Sequence, residues 1–154
     1  MKPKTIVLSL MFCFIAASMT VAQDVNMGTW KLNEAKSKIA AGAPKNHTVT
    51  YEAAGDSIKV IVDGTDGAGA ATHNEWTGKF DGKEYPVTGD PASDMRSYRK
   101  VGARTMALTV KKDGKVTVTG RIVVAANGKS RTLTTSGTNA QGKKFRSVAV
   151  YDKQ

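Results

Sequence analysis

The sequence predicts an all-β protein, an up-and-down antiparallel barrel of about eight to ten strands with one short helix after the first strand. Turn signals recur along the chain. Asp63-Gly64, Asp66-Gly67, Asp81-Gly82, Asp113-Gly114 and Asn127-Gly128 are pairs that tolerate the positive φ of tight hairpins. Between them run Val- and Thr-rich stretches such as Lys115-Val116-Thr117-Val118-Thr119, apolar and polar by turns. Such alternation describes a sheet with one buried and one wet face. A long meander must close on itself or leave exposed edges, so a closed barrel is the first expectation and a two-sheet sandwich the runner-up.

In chain order, Gly28-Thr29-Trp30-Lys31-Leu32 reads as the first strand. Asn33 is placed to cap a short helix over Glu34 to Ile39, ended by Gly42 and Pro44. Val49, Tyr51 and Ala53 share a face of the next strand, and Ile58, Val60 and Val62 do so beyond Gly55-Asp56. Asn74, Trp76, Gly78 and Phe80 alternate against His73, Glu75, Thr77 and Lys79. Tyr85-Pro86-Val87 is a short piece, with Pro86 suited to an edge or strand end. Met95, Ser97, Arg99 and Val101 form the next inward set, followed by Met106, Leu108 and Val110. Val116 to Val124, Thr132 to Gly137 and Val148 to Tyr151 complete the ladder.

The amino terminus carries a targeting signal. Met1 to Lys4 is basic, Thr5 to Ala17 is apolar and uncharged, and Thr20 and Ala22 occupy the −3 and −1 positions of a cut before Gln23. The apolar run is too short to span a bilayer, so residues 1–22 read as a cleaved signal peptide. Cleavage leaves 132 of the 154 residues as one domain, 23–154, expected to be secreted or periplasmic. Nothing else in the chain is apolar enough to make it an integral membrane protein, and a monomer is expected. Cys13, the only cysteine, leaves with the signal, so the domain holds no disulfide and no thiolate.

Charge is unevenly distributed. Loss of Lys2 and Lys4 reduces the net charge from +10 to +8. Residues 23–95 hold 7 Lys or Arg against 11 acids, whereas residues 96–154 hold 14 against 2. Arg96, Arg104, Lys111, Lys112, Lys115, Arg121, Lys143, Lys144 and Arg146 should therefore form a basic flank, because sequential strands of a meander are neighbours. Lys111, Lys112, Lys115, Lys143 and Lys144 are its candidate anion-binding residues. Anionic lipid, lipopolysaccharide or acidic polysaccharide would suit it. Export and the lack of interleaved aromatics argue against nucleic acid.

Gly28-Thr29-Trp30-Lys31-Leu32 resembles the opening of the fatty-acid-binding proteins and the Gly-x-Trp of lipocalins, and Val150-Tyr151-Asp152-Lys153 looks like the last strand of the former. The whole resembles small exported lipocalin-like bacterial proteins. The resemblance implies a calycin barrel in which the first and last strands pair, enclosing a small hydrophobic or amphipathic ligand. Two departures stand out. Fatty-acid-binding proteins clamp a carboxylate with Arg-x-Tyr on the last strand, and Ala149 stands at that arginine position. Lipocalins pack the first-strand Trp under an Arg of the final strand, where the only basic residue here is Lys153.

Candidate ligand-binding residues follow from the faces. Tyr51 and Trp76 fall on apolar faces that would line a cavity. Arg99 shares a face with Met95 and Val101, so alternation points it inward, where a guanidinium needs an anionic or hydrogen-bonding partner. Arg131, on the face of Leu133, repeats the argument, and Tyr151 is the tyrosine the resemblance singles out. Trp30 reads as a plug of the barrel base. His73 and Glu75 are two residues apart on a wet face, too few for a metal site. No nucleophile–base signature, phosphate-binding loop or telling acid pair is present, so a non-enzymatic protein without cofactor or metal is expected.

Overall fold

The computed structural model describes residues 24–139 and 141–154, and the expected signal peptide lies outside the described residues. Ten strands form the domain: β1 (Gly28–Leu32), β2 (Lys45–Ala54), β3 (Ser57–Thr65), β4 (Ala71–Gly78), β5 (Tyr85–Thr88), β6 (Met95–Gly102), β7 (Thr105–Lys112), β8 (Lys115–Val124), β9 (Ser130–Thr138) and β10 (Lys144–Lys153). Each pairs antiparallel with its neighbours in sequence, and β1 also pairs with β10, closing the barrel. Trp30 lies opposite Lys153 and Leu32 opposite Tyr151 at this seam. The first and last segments therefore join as the alternation and the ends of the chain led one to expect.

Turn chemistry sets the hairpins. Asp113 and Gly114 both adopt positive φ (49° and 74°), the conformation a two-residue hairpin needs to match the strand twist. Asp66, Asp81, Asp90, Asn127 and Asn139 accept backbone N–H bonds two residues on, which shapes five further connections. Period-two alternation then sends Val60, Val62, Trp76, Met106, Leu108, Ile122 and Val124 inward, where all are buried. Tyr151 points in with Ala149 and Ser147, while Val148 and Val150 face outward, half-buried.

Two expectations are corrected. The helix over Glu34 to Ile39 is only a 3-10 turn, Glu34–Lys36, although Asn33 caps it as expected. Lys38 instead exchanges both backbone hydrogen bonds with Val148, 2.7 and 2.9 Å. Pairing with the free edge of β10 satisfies more backbone than one further helical turn would. In β6 the inward set is displaced by one residue. Arg96 and Tyr98 point in, and Arg99 is exposed, its stem lying against Gly82. A one-residue slip exchanges the two faces of a strand. The buried ring of Tyr98 outweighs Val101, which sits beside a register shift and stays 39% exposed. Arg96 consequently leaves the basic flank for the interior.

Candidate functional site

The barrel interior is occupied by aromatic and guanidinium groups. Trp30, fully buried, donates its indole N–H to the Asn26 carbonyl at 2.8 Å, so the segment before β1 covers the base. Arg131 is 2% exposed, and its guanidinium carbon lies 4.8 Å from the Trp30 ring, 4.9 Å from Tyr51 and 5.0 Å from Tyr151. Its Nε and Nη1 have no hydrogen-bond partner among the described residues. Three ring faces take the place of a carboxylate. The cation over the first-strand Trp is thus Arg131 on β9, not a residue of the last strand. Lys153 approaches the same ring, 5.2 Å from its centre.

A second cluster adjoins the first. Trp76 meets Tyr98 edge-on at 4.8 Å and Tyr85 at 5.7 Å, and stacks on Phe80 at 6.5 Å. Tyr51 joins the clusters through edge contacts with Phe80 and Tyr98. The indole N–H of Trp76 donates to the Arg96 carbonyl at 2.9 Å, and Arg96 Nη2 donates to Asn74 Oδ1 at 3.0 Å. Burial pushes the Tyr151 phenol up to about 12, against the opposing pull of Arg131. Burial likewise raises Tyr98, with neighbouring Tyr51 adding to it. Of the candidate ligand residues, Tyr51, Trp76, Arg131 and Tyr151 therefore come together in a packed interior, and Arg99 lies outside it.

Open space lies at the mouth instead. β1 stops at Leu32, and the strap formed by residues 33–43 crosses to β2. A recess of about 420 Å³ separates this strap from the β3–β4 hairpin, bordered by Leu32, Ile39, Ala40 and Ala43 and by Glu34, Lys45 and Asp66. The strap is held from below. Ser37 Oγ donates to the Asn33 carbonyl at 2.7 Å and accepts from the Val150 N–H at 2.9 Å, and the Ala40 N–H donates to Ser147 Oγ at 3.0 Å. The hairpin comes close to it at Gly67, where a Cβ would lie 2.2 Å from the Gly42 carbonyl oxygen. None of these lining residues carries a ligand-binding signal in the sequence. A strap that leaves the helical path to pair with β10 has no period to betray it.

The wet faces hold the remaining candidates. His73 Nδ1 lies 2.7 Å from Asp63, and Nε2 lies 3.7 Å from Glu75, which itself pairs with Lys59 at 2.9 Å. The hydrogen bond that the imidazole donates to the Asp63 carboxylate holds His73 above its ordinary value. Among the described residues no group of three or more His, Cys, Asp or Glu could hold a metal ion. Lys111 is paired with Glu84, whereas Lys112, Lys115, Lys143 and Lys144 make no ion pair with the described residues. Lys115, Lys143 and Lys144 are exposed.

Comparison of the chain with protein-family models and with curated proteins gives no match. The class is therefore set by architecture: a closed, ten-stranded antiparallel meander barrel, compatible with a calycin-like barrel. No described helix is long and apolar enough to cross a membrane.

Proposed function

We propose that the protein is an exported, non-enzymatic, lipocalin-like binding protein that holds a small amphipathic ligand at the mouth of its barrel. The observation that carries this reading is the 420 Å³ recess under the strap, within the roughly 300–1,000 Å³ typical of small-ligand sites. Its lining suits an amphipathic molecule: Leu32, Ile39, Ala40 and Ala43 offer apolar surface, and Lys45 and Glu34, 3.5 Å apart, offer a polar rim. The filled interior below gives the site a floor.

Dansyl-undecanoic acid serves as the probe, its fluorescence rising on transfer out of water. The wild-type protein is expected to bind it. Ala40→Trp, which fills the recess, should abolish binding with the far-ultraviolet spectrum unchanged, and Tyr51→Phe should leave binding intact. Loss with Tyr51→Phe but not with Ala40→Trp would move the ligand into the interior and overturn the assignment. No binding by the wild-type protein would overturn the carrier reading altogether.

A further inference from the structure

The outward face of β8, β9 and β10 carries a row of hydroxyls flanked by Arg121 on one side and by Arg146 and Lys144 on the other. Thr132, Thr134, Ser136 and Thr138 project along the outside of β9. Thr134 lies opposite Arg121 of β8, Ser136 opposite Arg146 of β10, and Thr138 opposite Lys144. Arg121, Arg146 and Lys144 are exposed and make no ion pair with the described residues. β8 and β9 contain no acidic residue, and the single one in β10, Asp152, is near its far end. A shallow depression of about 310 Å³ opens at one end of this face, bordered by Thr119, Ser136, Thr138 and Lys144 together with Val116 and Phe145.

We infer that this face binds an acidic polysaccharide chain laid along β9. Two strand spacings, about 10 Å, separate Arg121 on β8 from Arg146 and Lys144 on β10, enough for a sugar chain to lie between them with charges reaching both sides. Arginine forks match carboxylate geometry bidentately. The Thr and Ser hydroxyls donate and accept, as sugar hydroxyls require. A lipid surface fits the face less well. The large apolar side chains exposed among the described residues are Val101, Val116 and Val123, and interfacial binding draws on Trp, Phe and Leu. The basic flank expected from sequence thereby narrows to one face and one class of partner, independent of the mouth recess.

The test is affinity electrophoresis through gels containing polygalacturonate, with neutral dextran as reference. Wild-type protein should be retarded by polygalacturonate alone. Arg121→Glu with Arg146→Glu should weaken retardation at least about tenfold, and Thr134→Val with Ser136→Ala about threefold with every charge kept. Lys83→Glu, on the acidic half, and Ala40→Trp, in the recess, should change nothing. Retardation unaffected by either pair would overturn the proposal. So would a charge-reversal effect without a hydroxyl effect, accompanied by equal binding to phosphatidylglycerol vesicles, which would assign the face to a membrane.

Discussion

Arg131 shows how a buried charge is accommodated with no counter-ion among the described residues. Desolvating a guanidinium costs several kcal/mol, and each desolvated ring face returns roughly 2 kcal/mol, so three rings bring the sum near balance. Arg131→Met keeps the volume and removes the charge, and should leave stability within about 2 kcal/mol of wild type. Arg131→Ala opens a cavity and should cost about 3–5 kcal/mol. Urea denaturation distinguishes them, and equal losses would mean that the charge itself holds the three rings. Alternation with Leu133 made Arg131 legible in the sequence. The same rule misplaced Arg99, because Met95 and Val101 outweigh Arg96 and Tyr98 in hydropathy, although the larger ring wins in packing. His73 gives a residue-scale test on the wet face. Because its folded value is raised, the Asp63 contact contributes stability that is fully present at pH below about 6.5, the ordinary value, and fades as pH rises through the higher folded value. Asp63→Asn should return the His73 titration, followed by NMR, toward the ordinary histidine range.

At the scale of elements, hairpins were the most legible feature and the strap the least. Asp113-Gly114 and Asn127-Gly128 form turns as their local backbone preference predicts, whereas Asp63-Gly64, expected to turn, lies inside β3 and pairs with β2 and β4 beside a register shift. Asn33 signalled a cap correctly, but how far the helix continued was decided by β10, more than a hundred residues away. Ser37 is the pivot of that decision, since one hydroxyl serves the Asn33 carbonyl and the Val150 N–H. Ser37→Ala should cost about 1–3 kcal/mol in thermal or urea unfolding by leaving the Val150 N–H without its partner. Gly67 acts on the other wall of the recess. Gly67→Ala forces its new methyl against the Gly42 carbonyl, so hairpin and strap must part. Weaker binding of dansyl-undecanoic acid, with the barrel still folded, is the expected result.

The molecule as a whole is a ring whose strength depends on continuity. A seam only three residue pairs long joins β1 to β10, and the core beneath it includes Trp30 and Tyr151, both essentially inaccessible to solvent. High pH tests how strongly that interior resists opening. An unfolded tyrosine ionises near pH 10, whereas Tyr151 in the barrel holds its proton to about 12. Because the folded value is the higher, stability is intact below about pH 10 and falls as pH rises toward 12, by up to about 3 kcal/mol for this one group. Tyr98, raised in the same direction, adds to the loss. Tyrosinate absorbance should therefore go on rising toward pH 12 as Tyr151 and Tyr98 ionise, together with loss of β-sheet circular dichroism. Tyr151→Phe forfeits the 3.1 Å bond to the Asn46 carbonyl and should be about 1 kcal/mol less stable at neutral pH. Lacking an ionisable group there, it should nevertheless lose less stability than wild type between neutral pH and 12. If both proteins lose equal stability over that range, ionisation of Tyr151 is not what opens the ring.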